Sequence, residues 1–316
     1  MISQKKISKR FKSLRSWSIS PLIWCEYQIL RRLPYSVRKK IIFLVVSLYF
    51  WFYQKPKIQK NIRLIRSDLD SDQIGREIER LKKTITENFA TVLGNGSINI
   101  EKEMERLEVT GELDRVLDLY RKGTKIIITV THTATYDKAF CFVPFVNRKL
   151  APLELRVYVP AERILLVDNI MAAWRKNFGD IIFEPVKKGG ETLAKSKKNL
   201  NEGRVVLLPI DILRKDNSGV LCRIGNGEAR FPVGAVKLAL EEDAILIPLF
   251  PSSGQDGKVQ IRVGFPFNLA KTGDIKKDIE NNVRRLIEEV YAPFIQQHYY
   301  EWLQLPWSDL KPSKKA

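Results

Sequence analysis

The chain is poor in the residues that build metal sites and disulfide frameworks. Its 316 residues include only two histidines and three cysteines. The cysteines are odd in number, widely spaced and form no CxxC pair, which indicates reducing surroundings: Cys25, Cys141 and Cys222. No acidic cluster has the spacing of metal ligands either, so the sequence predicts no metal site.

Motifs of several common enzyme classes are also missing. There is no GxxxxGK[ST] phosphate-binding loop and no GxSxG nucleophile elbow. The stretch "GNGEAR" at 225–230 begins like a dinucleotide fingerprint, but Arg230 stands where the third glycine belongs. The chain therefore lacks the sequence signatures of P-loop nucleotidases, α/β-hydrolases and dinucleotide-dependent oxidoreductases.

The most apolar run of the chain is too short to cross a membrane as a helix. The run "IIFLVVSLYFWFY" at 41–53 is well below the roughly 20 residues that a spanning helix needs. It ends in an aromatic cluster with Lys and Arg on both sides, which is typical of the headgroup zone of a bilayer. A signal peptide is disfavoured because the run starts far from the N-terminus and no small-residue cleavage site follows. A buried core helix is the alternative.

The positive charge of the chain is concentrated at its N-terminus. The formal net charge is +18; residues 1–60 hold 14 Lys or Arg against Glu26 alone, a net of +13, and the other 256 residues contribute only +5. A nucleic-acid binder usually carries its basic patch on the folded domain, whereas here it flanks the apolar run. We predict that residues 1–57 associate with the anionic, cytoplasmic face of a membrane and either lie in the interface or insert shallowly. Residues 58–316 are predicted to form one further domain. No nucleic-acid partner is predicted.

The rest of the chain alternates between short apolar runs and amphipathic stretches. The runs predict strands at 125–130, 155–159, 181–186, 204–210, 244–250 and 259–265. The amphipathic stretches predict helices at 61–94, 113–122, 135–146, 163–178, 191–202, 233–242 and 274–303. This alternation predicts an α/β fold with a mainly parallel central sheet flanked by helices.

His132 lies in the stretch "TVTHTATYDKAF" (129–140), directly after the first of these predicted strands. Asp137 follows five residues later, and on one regular helix that spacing would separate the two side chains by about 140°. They can pair only if His132 lies in the turn and Asp137 in the first turn of the next helix. Such a pair is a general base with an orienting carboxylate, and it needs a substrate that brings its own nucleophile. A structural histidine is the alternative here, and His298 is predicted to be structural or at the surface.

H-x-x-x-x-D after a strand resembles the signature of the lysophospholipid acyltransferase superfamily. Residues 203–250 resemble the branch of the late acyltransferases of lipid A biosynthesis, and "YYEWLQLPW" (299–307) is similar to the C-terminal end of that branch. The matching features within 203–250 are Gly203, Asp211, Gly225, Gly234, Ala239 and Pro248.

This resemblance implies a glycerolipid acyltransferase-like fold and direct transfer of a fatty acyl group to a lipid hydroxyl. The donor would be an acyl thioester, on acyl carrier protein or coenzyme A, and no cofactor would be needed. His132 would be the general base and Asp137 its orienting acid. Residues expected to bind substrate are Arg175, Asp211 and Arg223, with Arg230 and "KKGG" (187–190) as candidate phosphate contacts.

The resemblance leaves the acceptor lipid open. The loop "HTATYD" lacks the Gly-Asn pair of many lipid A enzymes and ends in Asp where they have Glu, and "ILRKDN" after Asp211 also departs from them. The acceptor is therefore not restricted to a lipid A precursor, and glycerophospholipids, glycolipids and other membrane hydroxyl compounds stay open as acceptors. The alternative function is a non-catalytic membrane-surface or nucleic-acid binding protein on an acyltransferase-like fold.

Overall fold

A computed structural model describes most of the chain beyond the first 28 residues. The described residues are 29–30, 32–93, 99–133, 139–150, 156–162, 178, 181–186, 190–214, 218–254 and 258–313. In chain order the strands are β1 (Leu107–Gly111), β2 (Ile126–Val130), β3 (Val157–Glu162), β4 (Ile181–Val186), β5 (Val205–Pro209), β6 (Val220–Ile224), β7 (Gly227–Phe231), β8 (Ile245–Ser253), β9 (Val259–Val263) and β10 (Lys311–Pro312).

The helices surround these strands on both faces. They are α1 (Tyr35–Tyr49), α2 (Lys55–Ile65), α3 (Ser71–Val92), α4 (Ile100–Glu105), α5 (Leu113–Arg121), α6 (Phe142–Leu150), α7 (Gly190–Asn201), α8 (Gly234–Glu242), α9 (Ile275–Arg285) and α10 (Ala292–Gln297). A π-helical turn at Phe50–Gln54 joins α1 to α2, and another at Leu286–Tyr291 joins α9 to α10. A 3₁₀ turn at Tyr299–Glu301 follows α10.

Seven strands form the central sheet in the order β1-β9-β8-β2-β5-β3-β4. From β8 to β4 all neighbours are parallel, while β9 pairs antiparallel with β8 and β1 runs parallel to β9. Strand β2 is buried along its whole length, as expected for a central parallel strand with helices on both faces. The prediction of an α/β fold with a mainly parallel, helix-flanked sheet is confirmed.

Successive residues of β2 contribute to two apolar clusters. Ile127 belongs to the cluster that includes α1, α2, α3, α8 and the C-terminal helices. Ile126, Ile128 and Val130 belong to the cluster that includes α5 and α6. Because side chains alternate along a strand, one short run supports a core on each face of the sheet.

A second, three-stranded sheet contains the β6–β7 hairpin, with β10 against β7. Its turn is at Gly225, where φ is +59°, and Asn226 donates its backbone N–H to the Leu64 carbonyl at 2.7 Å. A Cβ at Gly225 would lie 2.5 Å from the carbonyl oxygen of Ile65. This glycine therefore permits close contact between the hairpin and the end of α2.

The apolar run at 41–53 is divided between two environments. Ile42, Val46 and Phe50 are buried in the same cluster as α2 and α3, and the buried Arg38 donates from Nε to the Ala90 carbonyl near the end of α3 at 2.9 Å. The opposite side of the run is exposed. Within the described residues, no helix has both the length and the apolarity needed to cross a bilayer. The predicted domain boundary after residue 57 lies inside α2, and buried side chains continue across it.

Most predicted elements agree with the structure to within a few residues, with informative differences. The helical stretch at 61–94 is divided between α2 and α3, because Asp70 caps α3 by accepting from the backbone N–H of Gln73 at 2.7 Å. Of the helix predicted at 135–146, residues 142–146 lie in α6, which continues to Leu150. The helix predicted at 163–178 lies outside the described residues apart from Phe178. Strands β1, β6, β7 and β10 were not predicted.

Candidate active site

The candidate site lies where the neighbouring parallel strands β2 and β5 end. Val130 of β2 is in register with Pro209 of β5, and the Ile210 backbone N–H donates to the Val130 carbonyl at 3.0 Å. His132 and Asp211 each follow two residues after these paired positions. Groups just beyond the carboxyl ends of parallel strands converge at one edge of the sheet, which is where α/β folds commonly bind ligands.

Asp211 is fully buried and contacts His132 twice. One carboxylate oxygen, Oδ1, lies 2.7 Å from Nδ1 of the imidazole, and Oδ2 accepts the backbone N–H of His132 at 2.8 Å. The side chain of His132 remains 19% exposed, whereas that of Asp211 is 0% exposed. A buried carboxylate that accepts a hydrogen bond from Nδ1–H directs the lone pair of the imidazole to Nε2.

The C-terminal segment completes this cluster. Trp302, which is 0% exposed, donates its indole Nε1–H to Oδ2 of Asp211 at 2.8 Å. The next residue, Leu303, donates its backbone N–H to the carbonyl of His132 at 2.8 Å, and Trp302 forms an antiparallel bridge with Thr133. His132 therefore lies between the end of β5 and the C-terminal segment.

Hydroxyl groups hold β2 and its following turn. Thr133 donates from Oγ1 to the carbonyl of Pro251 on β8 at 2.6 Å. The phenol of Tyr291 donates to the carbonyl of Thr129 at 2.7 Å. Burial raises the pKa of Tyr291 well above its ordinary value, so this phenol stays protonated and acts as a donor. These bonds restrict the backbone on both sides of His132.

The structure places the other predicted site residues as follows. Asp137 and Arg175 lie outside the described residues, as do 187–189, so the His132–Asp137 pair stays a prediction. Arg223 is on β6 in the hairpin sheet, with its guanidinium 3.8 Å from the Glu288 carboxylate and its backbone N–H donating to the same group at 3.0 Å. Arg230 donates to the carbonyl of Gly219 at 3.0 Å.

His298 lies in a different environment from His132. Its ring packs on Phe294, with centroids 4.6 Å apart, and its Nδ1 is 3.7 Å from the buried carboxylate of Glu301. That distance is too long for a hydrogen bond. The side chain is 18% exposed within the C-terminal aromatic cluster.

Two features of the site were not predicted from the sequence. Asp211 was assigned to substrate binding, and its contact with Nδ1 of His132 was not anticipated. Trp302 was not assigned at all, although it lies in the "YYEWLQLPW" segment that carries part of the family resemblance.

Within the described residues, no group of three His, Cys, Asp or Glu side chains clusters as metal ligands do.

Comparison with known proteins identifies the family of the chain. No curated protein matches the chain significantly. The sequence model of one family, described as bacterial lipid A biosynthesis acyltransferase, matches residues 4–308 and so includes His132, Asp211 and Trp302. The chain therefore belongs to the bacterial lipid A biosynthesis acyltransferase family, and its general activity is acyl transfer.

Proposed function

We propose that this protein transfers a fatty acyl group from an acyl thioester to a hydroxyl of a membrane lipid, with His132 as the general base. The observation that carries the proposal is the 2.7 Å contact between Nδ1 of His132 and the buried carboxylate of Asp211. Family membership supports acyl transfer, and the His–Asp contact supports a base that needs no protein nucleophile.

The contact supports one assignment of roles to the two imidazole nitrogens. Nδ1–H donates to Asp211, and the lone pair of Nε2 accepts the proton of the acceptor hydroxyl. The hydroxyl oxygen then attacks the thioester carbonyl to give a tetrahedral intermediate. The C–O bond of the product ester forms in this attack. When the tetrahedral intermediate collapses, its oxyanion re-forms the carbonyl and the C–S bond breaks. The imidazolium then returns its proton to the leaving thiolate. Asp211 stabilises the imidazolium between these two proton transfers.

Other predicted residues have roles that follow from their charge. Asp137 is proposed to act with Asp211 in orienting His132. Arg175 and Arg223 are proposed to bind anionic groups of the acyl carrier or the acceptor. For Arg223, the nearby Glu288 carboxylate partly neutralises the guanidinium, which lowers its expected contribution to anion binding.

We also propose that residues 35–65 lie along an anionic membrane surface. The side of α1 opposite its buried face, together with the π turn, exposes several large apolar side chains: Leu44, Val45, Leu48, Trp51 and Phe52. Trp51 and Phe52 are 76% and 70% exposed. The same stretch contains no Asp or Glu, and its basic residues other than the buried Arg38 are Lys39, Lys40, Lys55, Lys57, Lys60 and Arg63. An exposed apolar face with basic flanks and one buried face supports a helix that lies in the interface.

The direct test of the enzymatic proposal is acyl transfer in vitro. The detergent-solubilised protein is incubated with total membrane lipid and a labelled acyl thioester, carried by acyl carrier protein in one arm and by coenzyme A in the other. We expect a labelled lipid and an equal amount of released thiol. His132→Ala should abolish both, whereas the matched variant of the second histidine, His298→Ala, should retain them.

The outcomes separate the proposal from its alternative. Acylated lipid formed at the wild-type rate by His132→Ala would contradict the general-base role. Binding to vesicles without any acyl transfer in either arm would instead favour a non-catalytic membrane-surface protein.

A further inference from the structure

The indole of Trp302 is the third donor to the Asp211 carboxylate. Oδ1 faces Nδ1 of His132, while Oδ2 accepts both the backbone N–H of His132 and the indole N–H of Trp302, each at 2.8 Å. Trp302 is fully buried. A buried carboxylate held by several donors has its rotation about the Cβ–Cγ bond restricted, so the oxygen that faces Nδ1 is fixed in place.

The segment that carries Trp302 contacts the carboxyl ends of three adjacent strands. Trp302 contacts Asp211 after β5, and Leu303 contacts His132 after β2. The buried carboxylate of Glu301 accepts the backbone N–H of Ser253, the last residue of β8, at 3.0 Å. The indole is therefore positioned by the sheet itself, because its flanking residues are tied to the neighbouring strands.

We propose that Trp302 is a positioning residue for acyl transfer, because its indole N–H fixes the Asp211 carboxylate that orients His132. The proposal rests on the proposed function for its catalytic consequence. Trp302 acts through Asp211 and has no contact role with the substrate. Donors placed around an orienting carboxylate hold the acting side chain in its productive geometry.

The electrostatic consequence has a definite sign. The indole N–H stabilises the negative charge of Asp211 and so weakens its attraction for a protonated His132. Without this donor, His132 should bind its proton more tightly. Charged groups on the surrounding elements include Asp211 after β5, and Glu301 and His298 on the C-terminal segment. The sequence predicts one further carboxylate beside His132, that of Asp137, in the first turn of the helix that follows.

The first experiment compares Trp302→Phe with two matched variants. Tyr158→Phe removes a buried hydroxyl on β3 that hydrogen-bonds neither Asp211 nor His132. Trp307→Phe makes the same substitution at an exposed position of the same segment. For Trp302→Phe we expect a kcat lower by about 10- to 100-fold with little change in KM. The acid limb of its pH–rate profile should move up by roughly half to one pH unit. Both control variants should keep the wild-type acid limb.

The second experiment tests the contact between Trp302 and Asp211 without measuring acyl transfer. Since the chain has only two histidines, ¹⁵N-histidine labelling gives two sets of ring signals, which His298→Ala assigns. The midpoint of the His132 titration should rise in Trp302→Phe and stay unchanged in Tyr158→Phe. In the wild-type protein, the indole ¹H signal of Trp302 should shift with the same midpoint as His132; it is assigned by elimination with Trp→Phe variants at the other five positions.

These results distinguish the two proposals. Loss of activity in Trp302→Phe with an unmoved acid limb and an unmoved His132 midpoint would overturn the positioning role. The positioning role would also be overturned if the indole ¹H signal of Trp302 in the wild-type protein did not shift as His132 titrates. This measurement applies even where the variant fails to fold. A shifted midpoint in a protein without acyl transfer activity would retain the positioning role and refute the proposed function.

Discussion

Asp211 accepts hydrogen bonds from both the side chain and the backbone of His132, at 2.7 and 2.8 Å. The two residues are 79 positions apart in the chain and lie at equivalent steps beyond two adjacent parallel strands. The double contact fixes the imidazole relative to its own backbone, because rotation about χ1 or χ2 would break the Nδ1 bond while the backbone bond persisted. The predictions that follow test this arrangement and the fold that supports it.

Asp211→Asn is expected to lower kcat by about 10²- to 10⁴-fold while the protein remains folded, because an amide no longer stabilises the imidazolium and favours the wrong tautomer. Steady-state kinetics with the acyl thioester donor measure the loss, and circular dichroism checks the fold. Asn199→Asp is the control: it exchanges an amide and an acid at a buried position on α7, and so changes the charge away from His132. Wild-type turnover by Asp211→Asn would refute the role of this carboxylate.

Asp137→Asn tests the pair that was predicted from the sequence. If both acids orient His132, this variant should lose kcat by a factor comparable to that of Asp211→Asn. The double variant should then lose less than the product of the two single losses, since the acids act on one imidazole. If Asp137→Asn keeps full activity, Asp211 alone orients the base and the proposed role of Asp137 is wrong.

The paired substitution Trp51→Ser with Phe52→Ser should weaken binding to vesicles that contain anionic lipid. Each fully buried large apolar side chain contributes about 1.5–3 kcal/mol, so the apparent affinity should fall at least about tenfold. Co-sedimentation at high salt isolates this apolar contribution, because salt screens the basic residues. Phe265→Ser, at an equally exposed phenylalanine after β9, is the control and should bind as the wild type does. Equal binding by both variants would contradict the interfacial position of α1.

Gly225→Ala should destabilise the fold by about 1–3 kcal/mol, because the new Cβ would meet the Ile65 carbonyl at 2.5 Å and the backbone φ is +59°. Gly234→Ala is the matched control at the start of α8, where nothing lies within 4 Å of the added carbon. It should be neutral or stabilising by about 0.5–1 kcal/mol. Chemical denaturation of both variants measures the two effects, and equal stabilities would argue against the close contact of the hairpin with α2.

Burial raises the pKa of the Cys222 thiol to about 12, so the reactive thiolate is scarce at neutral pH. In the folded protein at pH 8, Cys141 and Cys222 should resist alkylation, since both side chains are buried. Both should label rapidly in guanidinium chloride, where the thiols are exposed with ordinary pKa values. Peptide mass spectrometry separates the two sites from Cys25. Rapid labelling of Cys222 in the native state would contradict its burial in the hairpin sheet.

Local patterns were sufficient to predict most of the central sheet. The apolar runs that became β2, β5 and β8 are nearly uniform because a strand covered on both faces of the sheet is buried along almost its whole length. The edge strand β1 escaped prediction because its burial is uneven, with Glu108 and Thr110 exposed. The hairpin of β6 and β7 was not predicted, because its short strands surround a turn that resembles part of a nucleotide-binding motif.

The sequence by itself determined the fold class, the position of His132 after a buried strand, and the basic, aromatic character of the N-terminal region. These properties depend on residue type and periodicity over a few turns or strand repeats, which a single chain displays directly. Only the tertiary structure decided that Asp211 contacts His132 and that Trp302, 91 residues beyond Asp211, completes the cluster. Such contacts depend on which strands become neighbours and on their register, and both are set by packing between distant parts of the chain.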